Sequence, residues 1–271
     1  MGDGKLLFGC SGWDYPEWVG RFYPTRGKVD RLARYAQVFS AVEVDSSFYS
    51  IPTERTVEGW DRRTPKGFRF AAKFPQEITH QRRLEGCEEA LKLHYSAFRP
   101  LLRSGKVLAF LLQLPPSLPF DARKVRAFYE KLPASPTVAV EFRERSWLCP
   151  ESLDLLREFR LSTTIVDEPF LPIDLTLTNP SLAYVRWHGR GSNIWYDYRY
   201  SSEELRAWVP RVQEVAARAT TVLGFFNNHF RAEAPANALE LEEMLGLGPP
   251  PWSSRLDHPS VLGPSPDGAP R

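Results

Sequence analysis

The sequence predicts an α/β protein built as a single (β/α)8 barrel of the TIM type. Eight short stretches are predicted to be strands, and segments with helical periodicity separate most of them. Several of these strands are continuous apolar runs, which is typical of parallel strands covered on both faces by helices. A length of 271 residues suits one such domain. A doubly wound open sheet is the rival fold, but no glycine-rich phosphate-binding fingerprint follows the first strand.

The predicted strands are either apolar runs or alternate between apolar and polar residues. They cover residues 6–9, 41–45, 68–74, 107–114, 137–143, 162–167, 183–188 and 221–227. The predicted helices carry apolar residues at helical spacing and cover residues 30–39, 54–63, 85–103, 123–131, 151–159, 203–218 and 236–245. We expect the barrel domain to span residues 1–246. Residues 247–271 are rich in Pro, Gly and Ser and form a predicted tail that is either flexible or draped over the body.

The composition limits which kinds of binding partner and which cellular compartment the sequence predicts. Lys and Arg number 35 and Asp and Glu 33, for a formal net charge of +2, which is too balanced to indicate nucleic-acid binding by itself. The three cysteines form no CxxC pair, so neither a disulfide framework nor a zinc knuckle is predicted. The N-terminal residues lack the apolar core of a signal peptide, and the longest apolar run is too short to span a bilayer. We therefore expect a cytoplasmic protein with no membrane partner.

The stretch 183–191, AYVRWHGRG, is the most informative one in the chain. With the two-residue period of a strand, Tyr184, Arg186 and His188 point to one side. Burying an arginine and a histidine at the end of a strand is costly without a purpose. Other predicted strands also end in polar residues, and barrel enzymes place their active sites at this C-terminal face. The sequence therefore predicts a functional pocket at the mouth of the barrel.

The candidate site residues lie at or just after the ends of the predicted strands. Glu141, Asp167 and His188 are the candidate catalytic residues, because carboxylates and imidazoles serve as general acids and bases. Arginine and lysine side chains bind phosphate or carboxylate groups, so Arg186, Arg143 and Lys73 are expected to hold an anion. The complete set of candidate ligand-binding residues is Trp13, Glu43, Asp45, Tyr49, Lys73, Gln113, Arg143, Arg186, Asn227 and Asn228.

Several of these residues have a second interpretation. Glu141 and Arg143 are equally well explained as an ion pair across the barrel, and His188 as a hydrogen-bonded core histidine. Lys73 either forms a Schiff base, if burial lowers its pKa, or serves as a counter-ion for the surrounding carboxylates. In a structural role, internal partners occupy the hydrogen-bonding groups of the side chain. In a site role, some of these groups stay free for a ligand.

A metal site is a weaker prediction from the same residues. Asp45, Glu141 and Asp167 offer oxygen ligands for a hard cation, and His188 is the main nitrogen ligand at the rim. His80 is a further candidate in a loop. The sequence requires no cofactor, and a divalent metal is the one that these residues would allow.

Aromatic residues beside these strand ends are candidates for stacking on a sugar or a base. They are Trp13, Tyr15, Trp18, Tyr49, Trp147, Trp187, Trp195 and Tyr196. The segment 190–200, RGSNIWYDYRY, interleaves aromatics with arginines. It is suited either to single-stranded nucleic acid or to a lid folded over the mouth.

A set of ordered motifs resembles the YecE-like family, catalogued as domain of unknown function 72. The motifs are GCSGW at 9–13, VEVDSSFY at 42–49, ITH at 78–80, QLPPS at 113–117, VEFR at 140–143, SW at 146–147, RWHGR at 186–190 and FNNH at 226–229. The resemblance runs from about residue 7 to residue 245 and implies a TIM-type barrel. It implies no activity, because the family's biochemical role is not established. Members are similar in fold to metal-dependent endonucleases and sugar isomerases, but this rim offers too few histidines for the usual nuclease cluster.

Three functions are compatible with the sequence. The first is an enzyme, such as a hydrolase, isomerase or lyase, acting on a small or medium polar ligand that bears a phosphate or carboxylate. The second is a nucleic-acid-binding protein or phosphoesterase, and the third is a non-catalytic ligand-binding barrel. Glu43 and Glu141 could serve as the carboxylate pair of a retaining glycosidase, but Gln113 and His188 at neighbouring strand ends disfavour that variant.

Overall fold

The computed structural model describes residues 4–253 and confirms the (β/α)8 barrel. The strands are β1 (Lys5–Cys10), β2 (Ala41–Val44), β3 (Arg69–Lys73), β4 (Val107–Gln113), β5 (Thr137–Glu141), β6 (Ser162–Asp167), β7 (Ala183–Trp187) and β8 (Thr221–Phe226). All pairings are parallel, in the order β1-β8-β7-β6-β5-β4-β3-β2. The C-terminal ends of all eight strands therefore point towards one mouth.

Helices cover the outside of the barrel. They are α1 (Arg31–Val38), α2 (Glu54–Arg63), α3 (Glu88–Ala97), α4 (Arg99–Arg103), α5 (Ala122–Tyr129), α6 (Pro150–Glu158), α7 (Ser202–Ala216) and α8 (Glu233–Met244). The prediction of one helix over 85–103 was wrong, because the segment divides at Phe98 into α3 and α4. Pro100 explains the break, since proline lacks the N–H that would continue the first helix. No helix within residues 4–253 is long and apolar enough to cross a membrane.

Side-chain caps fix where several helices begin. Asp30 accepts a hydrogen bond from the Ala33 N–H at the start of α1, and Asp121 does the same for the Lys124 N–H at α5. Ser201 and Glu204 form a reciprocal capping box at α7. These caps satisfy N–H groups that the first helical turn leaves without partners.

The barrel interior is packed with small and aliphatic residues below a polar layer. The inner cluster contains Leu7, Ala41, Ala71, Ala109, Leu111, Ala139, Leu182, Tyr184, Leu223 and Phe225. A second, larger cluster fills the space between strands and helices. The charged side chains of the interior lie near the mouth, and Tyr184 and Arg186 share an inward face as the predicted alternation in residues 183–188 requires.

Two seams divide the barrel into half-sheets of four strands. The β5–β6 pairing covers only Ala139 with Ser162 and Val140 with Thr163. Between β1 and β2 the contact is an isolated bridge from Ser11 to Glu43. One half-sheet therefore contains β6, β7, β8 and β1, and the other contains β2 to β5.

The Tyr35 hydroxyl spans the β1–β2 seam. It accepts a hydrogen bond from the Cys10 N–H at 2.6 Å and donates to the Ala41 carbonyl at 3.1 Å. Gly9 permits the close approach of the two strands, because a Cβ at this position would lie 2.0 Å from the Ala41 carbonyl oxygen. A hydroxyl from α1 thus replaces the missing strand hydrogen bonds.

The first residues of the predicted tail pack against the barrel. The Trp252 indole N–H donates to the Ala36 carbonyl at 2.6 Å. Its ring lies so close to Gly67 that a Cβ there would be 2.1 Å from a ring carbon. The chain is therefore draped over the body as far as residue 252, and residues 254–271 of the predicted tail lie outside the described residues.

Candidate functional site

A buried ion network forms the floor of the mouth. The Arg186 guanidinium, at the end of β7, donates from Nη2 to Glu43 Oε1 at 2.6 Å and from Nη1 to Glu141 Oε2 at 2.7 Å. Ser11 Oγ and the Tyr184 hydroxyl also donate to Glu43, each at 2.6 Å. Both oxygens of Glu43 are therefore occupied, and Arg186 joins carboxylates that come from two other strands.

Electrostatics favour the charged forms of this network. Burial alone would lower the pKa of Arg186, but Glu141 and Glu43 raise it well above its usual value. Burial alone would raise the pKa of Glu141, but Arg143, Arg186 and His188 bring it well below its usual value. Glu141 therefore stays ionised at neutral pH.

The expected role of Arg186 as an anion clamp does not match its position. Its side chain is 1% exposed, and both terminal nitrogens already bind carboxylates. Its third nitrogen, Nε, makes no hydrogen bond within residues 4–253 but is buried, so a ligand would have to displace neighbouring side chains to reach the guanidinium. Arg186 is therefore a structural residue that positions the two glutamates.

Arg143 lies at the edge of this network and keeps spare donors. Its Nε donates to Glu141 Oε1 at 2.5 Å, and its Nη2 lies 2.9 Å from His188 Nε2. Its Cζ lies 5.4 Å from the centre of the Trp195 ring. Within residues 4–253, Arg143 Nη1 makes no hydrogen bond, so this guanidinium can bind a ligand while Glu141 and His188 hold it in place.

His188 is fully buried and neutral. Its ring lies between Arg143 Nη2 and Asn227 Nδ2, which is 3.0 Å from Nδ1. Burial and the charge of Arg143 lower its pKa to about 3, although Glu141 acts in the opposite direction. The imidazole therefore carries no charge at neutral pH, and its geometry fits a hydrogen-bond partner for Arg143 better than a proton carrier.

Lys73 is the second cation of the mouth. Its Nζ lies 3.3 Å from Asp45 Oδ1 and 4.0 Å from the centre of the Phe48 ring. Burial lowers the pKa of Lys73, although the negative charge of Asp45 opposes the shift. Lys73 is paired with Leu111 in the β3–β4 register, so it points into the barrel as Leu111 does.

The structure does not bring Asp167 together with the other two predicted catalytic residues. In the β6–β7 register Asp167 lies opposite Trp187, which faces the helices. Its carboxylate binds Arg190 at 2.6 Å and accepts the Trp208 indole N–H at 2.7 Å. Asp167 therefore anchors α7 and the β7–α7 loop on the outside of the strand.

Four more residues were predicted to bind a ligand, and each has a different environment in the structure. Gln113 is paired with Glu141 in the β4–β5 register and donates to the Leu114 carbonyl at 2.8 Å. Trp13 packs edge-on against Trp60 of α2, outside the barrel. Asn228 donates to Tyr198 O and Asn237 Oδ1, each at 2.9 Å, and so secures loops. Tyr49 is 71% exposed at the rim.

Comparison with known proteins places this architecture in a family. A model described as "Protein of unknown function DUF72" matches residues 7–258. A DUF72 protein from Thermotoga maritima is 32% identical, with a TM-score of 0.80 over 89% of this chain and 99% of that one.

The chain belongs to the DUF72 family. The YunF protein of Bacillus subtilis is 28% identical over 89% of this chain and 95% of its own length. The YecE protein of Escherichia coli K12 is 30% identical over 51% of this chain and 48% of its own. A DUF72 structure from Enterococcus faecalis is 26% identical, with a TM-score of 0.76 over 92% of this chain and 100% of that one.

Aromatic rings form an arc on one side of the mouth of this DUF72 protein. Tyr15 stacks on His229 with ring centres 4.6 Å apart, and Tyr196 lies 6.0 Å from His229. Trp195 follows, 6.5 Å from Tyr196. Since Trp195 also covers Arg143, the arc ends at a cation. Planar or apolar parts of a ligand can pack against these rings.

A second group of rings surrounds Lys73. Phe48 contacts Lys73, and its ring centre is 5.1 Å from Tyr49 and 4.9 Å from His80. Burial, Lys73 and Arg143 all lower the pKa of His80. His80 therefore packs edge-on against the ring that covers Lys73.

The arginines of the segment 190–200 are already paired. Arg190 binds Asp167, and Arg199 Nε lies 3.8 Å from Glu233. The Tyr200 hydroxyl accepts the Gly189 N–H at 2.9 Å, which ties the end of the segment to β7. Together with the contact between Trp195 and Arg143, these contacts hold the segment over the mouth.

The predicted metal ligands are not assembled into a site. Within residues 4–253, no three His, Cys, Asp or Glu side chains form a group that could hold a metal ion. Of the predicted set, Asp167 faces the helices, Glu141 binds two arginines and Asp45 pairs with Lys73. In the part of the chain that the structure describes, the predicted ligands therefore do not form a site for a divalent cation.

The sequence prediction missed several residues at the mouth. Ser11 and Tyr184 complete the hydrogen bonding of Glu43, and Phe48 covers Lys73. Tyr184 was recognisable from its two-residue spacing to Arg186. Ser11 and Phe48 follow strand ends, so their nearness to polar strand residues was a usable signal.

Proposed function

We propose that this chain is an enzyme that acts on a small or medium polar ligand bearing a phosphate or carboxylate, at the C-terminal mouth of the barrel. The supporting observation is an asymmetry between donors and acceptors. The oxygens of Glu43 and Glu141 are occupied by internal donors, whereas Arg143 Nη1 and Lys73 Nζ make no hydrogen bond within residues 4–253. A mouth with spare cationic donors favours an anionic ligand.

In this proposal Arg143 binds the anionic group. Glu141 and His188 position its guanidinium, and the low pKa of each keeps Glu141 charged and His188 neutral at neutral pH. Acid–base catalysis is then carried out by groups near the bound anion that can still take up and release a proton. Lys73, with Asp45 beside it, and His80 meet that condition.

A direct test is to measure the binding of inorganic phosphate and of pyruvate by isothermal titration calorimetry at low ionic strength. Arg143→Met removes a charged hydrogen bond, so we expect affinity to fall about tenfold or more. Arg143→Lys keeps the charge but loses the planar set of N–H donors. Its affinity should therefore lie between those of the wild type and Arg143→Met. Arg126→Met is the matched control, because Arg126 lies on the exterior and pairs with Glu158.

Two outcomes would contradict the proposal. One is that the wild-type protein binds neither probe, and the other is that Arg143→Met binds both as tightly as the wild type does. Proton NMR of pyruvate incubated with the protein over several hours then separates an enzyme from a binding barrel. An enzyme converts the ligand, whereas a binding barrel leaves its spectrum unchanged.

A further inference from the structure

Lys73 differs from Lys106, a second buried lysine, which precedes β4 at the opposite end of the barrel. Lys106 Nζ donates to the Asp61 carbonyl at 2.7 Å, to the Thr64 carbonyl at 2.9 Å and to Thr64 Oγ1 at 3.2 Å. It also lies 2.9 Å from Asp61 Oδ1. These contacts account for the donors of a structural ammonium group.

Lys73 has none of these hydrogen bonds. The residue is 8% exposed, yet within residues 4–253 its Nζ contacts only Asp45 Oδ1, at 3.3 Å, and the face of Phe48. Asp45 Oδ1 is itself buried without a hydrogen-bond partner. The ammonium form of Lys73 is therefore poorly solvated, which is the environment that makes a lysine amine nucleophilic.

We propose that Lys73 Nζ forms an imine with the carbonyl carbon of a small ligand that also carries an anionic group, such as a 2-oxo acid or a phosphorylated aldehyde or ketone. This inference rests on the proposed function, because Arg143 supplies the binding group for the anion. Lys73 ends β3 and Arg143 binds Glu141 at the end of β5, and only β4 separates these two strands, so both cations lie on the same side of the mouth.

The reaction needs no oxidant or reductant. Asp45 accepts a proton from the ammonium of Lys73, and the lone pair of Nζ attacks the carbonyl carbon. The new C–N bond forms as the C=O π bond breaks, and the carbonyl oxygen takes a proton. A second proton leaves nitrogen, and the hydroxyl departs as water when the C=N bond forms. Asp45 lies 3.3 Å from Nζ and is the group placed to carry these protons.

The experiment is reductive trapping of the full chain with pyruvate and sodium cyanoborohydride, followed by peptide mass spectrometry. We expect an N-(1-carboxyethyl) adduct on Lys73. Lys106 and the exposed Lys92 provide internal controls and should remain unmodified. Lys73→Met and Lys73→Arg should abolish the adduct, and the arginine variant keeps the charge if the methionine variant is unstable.

The anion requirement is tested with methyl pyruvate, which lacks the carboxylate. Arg143→Met should slow trapping of pyruvate about tenfold more than trapping of methyl pyruvate. An equal effect on both probes would contradict the assignment of the anion to Arg143.

The imine proposal is overturned if wild-type protein gives no adduct on Lys73 with pyruvate or with glyceraldehyde 3-phosphate. It is also overturned if Lys92 is modified as fast as Lys73. If calorimetry nevertheless shows Arg143-dependent binding of pyruvate, the proposed function stands and only the imine fails. If neither binding nor trapping is seen, both fail.

Discussion

The buried network around Arg186 is expected to contribute to stability rather than to ligand affinity. Arg186→Met removes the guanidinium that neutralises Glu43 and Glu141 and leaves two carboxylates buried without this partner. Breaking a buried ion pair from one side costs about 3–5 kcal/mol. For a chain of this size each kcal/mol corresponds to roughly 2–4 °C, so the melting temperature should fall by about 6–20 °C.

The assay is urea unfolding at neutral pH, followed by circular dichroism, with thermal melts in parallel. Arg126→Met is the control, since its exposed pair with Glu158 should leave the protein near wild-type stability. The double variant Glu43→Gln with Arg186→Met removes charges of both signs. Its loss in free energy of unfolding should be smaller than the sum of the losses in the two single variants, because the two residues are coupled.

A loss no larger than that of Arg126→Met would refute the reasoning. Such a result would mean that water or a rearranged side chain neutralises Glu43 and Glu141 at little cost. Arg186 would then not be the residue that stabilises the two buried glutamates.

Two further predictions concern stability outside the mouth. His94 lies among Phe74, Phe98 and Phe110, and both its ring nitrogens lack hydrogen bonds within residues 4–253. We expect His94→Phe to raise the free energy of unfolding by about 1–3 kcal/mol at neutral pH. Burial lowers the pKa of His94 to about 3, so the wild type loses stability as the pH falls from about 6.5, where the unfolded chain gains a proton, towards 3. The advantage of the variant should therefore widen on acidification, and a constant difference in urea melts would contradict this account. Trp252→Ala should lower the free energy of unfolding by about 2 kcal/mol, because it removes the indole packed over Gly67 and its hydrogen bond to the Ala36 carbonyl. Unchanged urea melts would show that this packing contributes little to stability.

Much of the barrel follows from local patterns in the sequence. The alternation of Tyr184, Arg186 and His188 predicted their common inward face, and the structure confirms it for Tyr184 and Arg186. The end of the helix at Phe98 was missed, although Pro100 was a local signal for it.

Roles within the site were harder to predict, because they depend on which side chains become partners across the barrel. Nothing near Arg186 in the sequence indicates that Glu43 and Glu141 will occupy its nitrogens. Asp167 ends a strand as Glu141 does, but its place in the register turns it towards Trp208. One residue of register separates an interior carboxylate from an exterior one.

The two seams of the barrel give the network at the mouth a mechanical role. Ser11, Tyr184 and Arg186 come from one half-sheet and donate to Glu43 of the other, and Arg186 also crosses to Glu141 on the far side. The two half-sheets share few backbone pairings at the seams. These side-chain hydrogen bonds therefore hold the halves together at both seams. A half-barrel expressed by itself would carry donors or carboxylates but never the assembled site, which exists only where the two halves meet.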